Sequence, residues 1–545
     1  MVNTAEPNKR WVLYILCLAQ FTLSADVANL SISTATLVKA FNSDIASIQL
    51  LGSIQPLIGA ALMLSSSMIG LIIGWRRLLI GGMSLGLISS LGFLVFHDIR
   101  SVSLIARPLA GVSSAMILPA ALALVVAHFP GKKRAIGFGA MAAATGLAAA
   151  VIPLLSGWIQ DHLHWQWTFT FISCCYLFTL VGAVLFIKPI HSNRPARFDV
   201  LGALLGSLSI ITLFFGLLKV PYWGLIFSQD GANLPNGLQF LMPISPALIL
   251  LSIGAILLVT FIFQQQQFER KHGYALLPTK WLTTQASRTG FIVLSLMYVT
   301  LGGSSFIIVT YLQVAIGLSS IHSGSIILLF SAAMILTSII TPLAFKHISV
   351  KVLCGSAFIG IALAAANLLL SSSAQGILTS FYFGMVLLGT SIGILACQCP
   401  VLITNALSER EAEQSGGLQA TVRNIGLVLG ISLFGGVNQT ALDHIIRSDN
   451  EILMHYPVHF QSVVKSASHI PYVNNQATQD IATQYQLDDI QSTYLITVNA
   501  KARVKGFDLV MLTLMSVALI GLILSTNITT SRQPTALPLK KNDIR

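Results

Sequence analysis

WVLYILCLAQFTLSADVANLSI, residues 11–32, is the stretch that decides the fold. At 1.5 Å per residue it makes a helix of about 33 Å, enough to cross roughly 30 Å of hydrocarbon. Asp26 is its one side chain charged at neutral pH, and Lys9-Arg10 stand just ahead of it. A carboxylate at that depth costs about 2.5 kcal/mol or more on insertion scales, so it points to a working role such as proton relay, ion pathway or counter-charge for a substrate. A cleavable leader would be shorter and would end in small residues before a polar segment. The run therefore reads as a retained first span of a transporter.

The rest of the chain has the same character. Of 545 residues, 54% are hydrophobic and 9% charged, and the mean hydropathy is +0.79. Soluble domains carry about a quarter charged residues. Only helices or closed barrels satisfy their backbone groups in lipid, and long apolar runs select helices. Walking outward from residues 11–34, further spans fall near 47–72, 78–97, 102–127, 135–158, 167–189, 199–219, 243–264, 290–313, 321–345, 350–372, 377–404, 416–437 and 507–529. That predicts an all-α integral membrane protein of fourteen spans.

The net charge of +12 does not mark a nucleic-acid binder, because the basic residues are scattered through short loops. With the N-terminus inside, roughly 21 of the Lys and Arg side chains fall on the cytoplasmic side and about 8 outside, as the positive-inside rule requires. Arg76-Arg77, Lys132-Lys133-Arg134, Arg194 with Arg197, and Arg270-Lys271 make up much of the internal set. An even span count places both termini in the cytoplasm. The six cysteines all lie within spans and none has metal-ligand spacing. Small core-packing residues are the better reading even for Cys397 and Cys399. Trp11, Trp75, Trp165 and Trp167 read as interfacial belt residues, and Asp199 and Asp508 as anchors at membrane boundaries.

Two polar stretches interrupt the rhythm. Residues 220–242 form an external loop, and 438–506 form a long one rich in Gln, Asn, Asp and His. Apolar residues at mixed spacing there (Ile445, Ile446, Ile452, Leu453, Phe460, Val463, Val464) allow an amphipathic helix on the outer membrane surface. His455 and His459 flank a proline, but a solvated cap or hairpin is the stronger reading than a metal site.

Several short segments, in order along the chain, carry a resemblance. Arg107-Pro108-Leu109-Ala110-Gly111 matches an RxxxG pattern in span 4, and Ile152-Pro153-Leu154-Leu155-Ser156-Gly157 matches GPxxGG in part. Trp165-Gln166-Trp167-Thr168-Phe169, Phe198-Asp199-Val200-Leu201-Gly202, Phe268-Glu269-Arg270 and Gln419 through Gly426 follow. Together they resemble the fourteen-span drug–proton antiporter branch of the major facilitator superfamily, the EmrB/QacA-like proteins, over nearly the whole chain. The resemblance implies two six-helix halves with two inserted helices. On that scheme, residues 1–190 form the N-terminal half, 191–285 the inserted pair, 286–530 the C-terminal half with the 438–506 loop, and 531–545 a cytoplasmic tail.

The departures are specific. Family members place the span 1 acid two residues earlier; here Leu23-Ser24-Ala25-Asp26-Val27-Ala28-Asn29 keeps the Asn29 register but puts Ser24 at that position. Two residues turn Asp26 about 200° around the helix from position 24. In Ser67 to Arg77, SMIGLIIGWRR, Leu71 occupies the place of the family's latch Asp, while Gly74, Arg76 and Arg77 remain. The inward–outward latch must then use other contacts.

Helix rise puts Asp26 about 12 Å and Arg107 about 8 Å from the outer ends of their spans, so the two could pair. A pair costs far less than either charge alone. Asp26 and Arg107 are the candidates for proton coupling, against the plainer reading of a static ion pair. Asn29, Tyr298, Tyr311, Gln313, Gln398, Gln419, Arg423 and Asn424 are polar at bundle depth and are the candidates for the substrate cavity, although a helix–helix hydrogen bond explains each as well. Gly74, Arg76, Arg77, Gly111, Pro153 and Gly157 are the candidates for conformational roles, with the small residues of span 5 allowing close helix approach.

The resemblance implies a proton-coupled exporter of lipophilic toxic compounds in a bacterial cytoplasmic membrane, with protons, small molecules and lipid as partners and room for a periplasmic adaptor. The resemblance implies that such cargo is often cationic, and monovalent cations are expected, since Asp26 is nearly alone as an intramembrane acid. A major facilitator exporter of one metabolite or siderophore is the nearest alternative. A non-transporting sensor or assembly subunit, with 438–506 as its docking surface, is the alternative of another class. No nucleophile–base set, metal cluster or phosphate loop suggests an enzyme, and no cofactor is implied.

Overall fold

The computed structural model describes residues 6–528, apart from 34–35, 38–39, 44, 130–132, 190–196, 228–243, 346, 375, 450–451, 453–455 and 467–469. Lys132, Arg194, most of the 220–242 loop, Leu453, His455 and the 531–545 tail lie outside the described residues. Among the described residues the fold is all helical, with fourteen helices long and apolar enough to cross a membrane.

Spans 1 to 6 are α1 (Glu6–Ile32), α2 (Ile45–Ile73), α3 (Trp75–Val95), α4 (Arg107–His128), α5 (Lys133–His162) and α6 (Gln166–Phe186). The inserted pair is α7 (Val200–Trp223) and α8 (Pro246–His272). Spans 9 to 13 are α9 (Gln285–Thr310), α10 (Ser320–Ala344), α11 (Val350–Leu370), α12 (Thr379–Asn405) and α13 (Glu409–Arg447). The short helices α14 (Val458–Ser466) and α15 (Asn475–Gln484) precede the last span, α16 (Asp489–Thr526).

Each half builds its own apolar core. Leu16, Leu79, Met83, Ile117, Leu124 and Ile172 meet in the N-terminal half. Phe291, Leu294, Phe358, Ile361, Met385 and Phe507 meet in the C-terminal half. Between α7 and α8, Asp199 does the anchoring: it caps α7 through Gly202 N at 2.9 Å and accepts from Gln265 Nε2 at 2.7 Å. Asp508 likewise accepts from Ser372 and from Lys505 Nζ at 3.1 Å.

The halves touch along two seams. On the first, α5 lies against α10 so closely that a Cβ at Gly139 would strike the Ser338 carbonyl oxygen, and one at Gly146 would come within 2.7 Å of Met334 Cε. Small residues permit such backbone approach where lipid offers no hydrophobic drive. Pro153 lies inside α5, but a Cβ at Gly157 would meet nothing within 4 Å, so that glycine is not a packing contact. The second seam joins α2 and α4 to the start of α13. Ser67 Oγ donates to the Gln414 carbonyl at 3.0 Å, and Gly417 packs on the Ser67 side chain. Gly111 makes a close contact within the N-terminal half, where a Cβ would approach Ile58 Cβ to 2.6 Å.

Two expectations need correction. Trp75 is not a belt residue: it is 3% exposed and packs on Gly70, because Gly74 turns the chain back at φ +94°, a region that strains any residue with a Cβ. Trp11 and Trp167 are exposed, as a belt requires. The polar segment after span 13 is also less of a loop than its composition suggests. Helices α13 and α16 run on for 39 and 38 residues, close to 58 Å each at 1.5 Å per residue, and so project well beyond the bilayer. Leu442, Ile446, Phe460, Ala482, Leu495 and Val498 face one another there and bury a separate small core. The apolar residues of the segment thus close on each other as a helical cap. Capping boxes at Ser408/Glu411 and Asp488/Gln491 secure the first turns of the two long helices.

Candidate functional site

The first polar centre lies inside the N-terminal half, where α1, α2, α4 and α6 converge. Asp26 is 4% exposed and Arg107 1% exposed. Arg107 Nη1 approaches Asp26 Oδ1 at 3.4 Å. Gln55 Nε2 donates to Asp26 Oδ2 at 3.1 Å and Tyr176 OH to the same oxygen at 3.3 Å. Arg107 Nη2 also donates to Gln55 Oε1, which closes a three-membered ring of contacts. A π-helical turn, Val102–Ala106, leads directly into Arg107; such insertions locally re-aim the helix and cluster at functional positions. The guanidinium rests 5.8 Å from the Phe93 ring centroid. Breaking a pair this deeply buried typically costs about 3–5 kcal/mol, so its members are bound to one another's presence.

The second centre is a cavity of about 340 Å³ between the halves. Leu23, Ser24, Val27 and Ala28 of α1, Gln55 and Met63 of α2, Thr145 of α5, Tyr298 of α9, Phe330 and Met334 of α10, and Arg423 and Asn424 of α13 are among its walls. Asp26 is not. Its neighbours on either side along α1 face the cavity, while its own carboxylate is turned to Arg107.

Arg423 is therefore the charged group of this cavity, since no Asp or Glu is found among the described lining residues. Its guanidinium lies over the Tyr298 ring, 5.1 Å from the centroid. With the Gln20 amide oriented to satisfy its neighbours, the Gln20 oxygen accepts from Arg423 Nη1 and Nη2 at 3.2 Å and from Thr145 Oγ1 at 3.0 Å. An arginine in mid-membrane costs about 2.5–3.5 kcal/mol. A desolvated cation–π contact returns roughly 2 kcal/mol, so Tyr298 and Gln20 hold the charge without neutralising it.

The remaining candidates divide. Tyr298, Arg423 and Asn424 line the cavity; Asn29, Tyr311, Gln313, Gln398 and Gln419 do not. Asn29 is buried and accepts from Ser156 Oγ at 2.8 Å, joining α1 to α5. Tyr311 stacks on Phe507 at 4.1 Å and donates to the Ser373 carbonyl at 2.9 Å, which makes it a packing residue. Gln419 donates to Ser415 Oγ one turn back along its own helix. Gln398 is buried within α12, and Gln313 lies in the π-helical turn that follows α9. Arg76 donates to the Val184 carbonyl at 2.7 Å, and Arg77 is exposed. A larger, open cavity, about 1020 Å³, is lined by α7 and the residues just after it, α9, α13 and α16, away from the seam between halves, and its walls are mostly aliphatic. Among the described residues no group of three potential metal ligands occurs.

The model of the Major Facilitator Superfamily matches residues 16–431. The chain belongs to this superfamily. It is similar to the lincomycin resistance protein of Streptomyces lincolnensis, with 26% identity over 79% of this chain and 85% of that one. It is also similar to a puromycin resistance protein of Streptomyces alboniger, with 24% identity over 80% and 83%. Among solved structures, the human organic anion transporter MFSD10 superposes with a TM-score of 0.58 over 95% of this chain and all of that one. At 12% identity that likeness bears on the fold alone. This is thus a fourteen-span major facilitator transporter, a membrane carrier rather than an enzyme.

Within this superfamily frame the departures seen in the sequence acquire positions. Ser24, where the resemblance places an acid, faces the cavity, and Asp26 faces the interior of its own half. Leu71 cannot latch, but Gln414 bridges the same end of the bundle: its carbonyl takes the Ser67 hydroxyl and its Nε2 donates to the Ala275 carbonyl at 2.7 Å. Gln55, Tyr176, Gln20 and Gln414 are the residues that sequence reasoning missed. Gln55 carried one usable signal, being a polar residue beside Pro56 in an apolar span; the others looked like ordinary helix polar residues.

Proposed function

We propose that this transporter is a proton-coupled antiporter that exports lipophilic toxic compounds across a bacterial cytoplasmic membrane by alternating access, with both termini in the cytoplasm. The observation that carries the reading is Gln55. Both ends of its amide belong to the Asp26–Arg107 centre, Nε2 donating to Asp26 and Oε1 accepting from Arg107, and the same residue forms part of the cavity wall. An ionised carboxylate only accepts hydrogen bonds. Protonating Asp26 would add a donor where Arg107, Gln55 and Tyr176 already point donors, so at least one must give way. Movement of Gln55 then reshapes the cavity, and cargo pressing on Gln55 acts back on the carboxylate.

In the proposed orientation, the Ser67–Gln414 seam closes the cytoplasmic side, and α5 sliding on α10 offers the surface on which the halves rock. The lincomycin- and puromycin-resistance relatives support export of small molecules.

The test is dye export from energised inverted vesicles, using ethidium alongside the neutral dye Nile red, with wild type beside Asp26→Asn. Wild-type export of at least one dye is expected to collapse with a protonophore, and the variant to be slower by at least about tenfold at equal membrane insertion, the scale of a coupling of about 1.4 kcal/mol. A variant that pumps at the wild-type rate would make Asp26 a structural residue.

A further inference from the structure

From the Arg423 cavity we infer that the preferred cargo is anionic: a lipophilic, aromatic molecule whose acidic group is held by the Arg423 guanidinium. This deepens the export reading and rests on it. The sequence-based expectation of cationic cargo depended on Asp26 as counter-charge. Asp26 is 4% exposed, is paired with Arg107, and does not line the cavity.

What cargo meets is Arg423. A guanidinium offers five N–H donors in a planar fork suited to carboxylate, sulfonate or phosphate groups. Gln20 takes one from each Nη, leaving three of the five for another acceptor. No described carboxylate lines the cavity to compete for them. Tyr298, beneath the guanidinium, and Phe330, on α10 of the same half, supply ring faces for an aromatic body, with Met63 of the facing half and Met334 as adaptable filling. Ser24 on α1 leaves that wall neutral. A quaternary ammonium in the same space would lie against the fixed positive charge of Arg423 with no acid to offset it, and like charges in a low-dielectric cavity repel strongly. An inside-negative membrane potential also favours anion export and opposes cation export.

Pyrene compounds bearing a permanent charge, or none, test this in proteoliposomes of the full chain under a proton gradient: pyrene-1-sulfonate, 1-pyrenemethanol and (1-pyrenylmethyl)trimethylammonium. The sulfonate should show a KM at least tenfold below that of the ammonium compound. Arg423→Gln should raise the sulfonate KM at least tenfold while leaving the alcohol within about twofold, and Arg423→Lys should recover part of the loss. Ser24→Asp, which puts an acid on the cavity wall, should shift preference towards the ammonium compound. Because the alcohol reports transport independently of charge, a misfolded variant is distinguishable from one that has lost recognition.

Wild-type preference for the ammonium compound or for ethidium, or an Arg423→Gln variant with an unchanged sulfonate KM, overturns the anionic assignment and leaves the export reading standing. If wild type moves none of the pyrenes, ethidium or Nile red, the export reading fails and the assignment falls with it.

Discussion

Two arginines sit at bundle depth in opposite halves, and their surroundings could hardly differ more. Arg107 is enclosed with a carboxylate, a glutamine and a tyrosine, and is 1% exposed. Arg423 leans on a tyrosine ring and a glutamine carbonyl at the edge of a cavity, with no described acid beside it. Both charges cost several kcal/mol to place in the membrane. The first cost is offset within the protein, which ties Arg107 to the protonation of one partner. The second is offset only in part, which leaves Arg423 able to gain from a ligand. Residue type alone does not assign the job; the charge of the nearest neighbours does.

The contrast makes predictions of decreasing size. Arg107→Leu should do the most damage, because it strands Asp26 in a buried site. A loss of about 3–5 kcal/mol is expected, read as a large drop in Tm in detergent together with abolished transport. If Tm is unchanged, the pair is not interdependent and the contrast collapses.

Gln55→Leu should cut the link between the two centres. Turnover is expected to fall by about tenfold, within the usual range of coupling energies, while cargo KM stays within about threefold. A KM effect as large as the turnover effect would mean that Gln55 is simply a cargo contact.

The smallest change belongs to Arg423→Gln measured as stability. Replacing a partly offset cation by a neutral side chain should leave unfolding within about 0.5 kcal/mol of wild type, or raise it. A large destabilisation would show that Arg423 is as structurally committed as Arg107, and would weigh against a recognition role.

Much of the architecture was legible from residue order. Runs of about 20 apolar residues locate most span ends to within a few positions, since hydrocarbon thickness admits few other lengths, the far ends of α8 and α13 and the start of α16 being the exceptions. Pro153 and Gly74 mark features that depend on backbone chemistry alone. Composition predicts a cap or hairpin at 438–506, but not how it is built: α13 and α16 leave the apolar phase and continue as helices in contact with each other, and a hydropathy window sees only the loss of apolar residues. Trp75 failed similarly, because a tryptophan at a predicted span end is interfacial only if the chain leaves it facing lipid.

In the site, Asp26, Arg107 and Arg423 stood out because charge is costly in a membrane and therefore conspicuous in sequence. Gln20, Gln55, Tyr176 and Gln414 did not, since a neutral polar residue in a span is cheap enough to be common. Nor could the charge of the cavity between the halves be read along the chain. It depends on which way one carboxylate turns on α1 and on which α13 side chain lies opposite.

Residue order was enough to establish a fourteen-span helical membrane protein, and which few charges it must accommodate at depth. Both follow from transfer free energies, which each residue carries wherever it goes. The packed helices were needed to show that Asp26 pairs with Arg107 and shares Gln55 with it, while Arg423 faces a cavity with no acid among its described lining residues. Pair energies depend on separations of a few ångströms between helices far apart in the chain, and no local property encodes those distances.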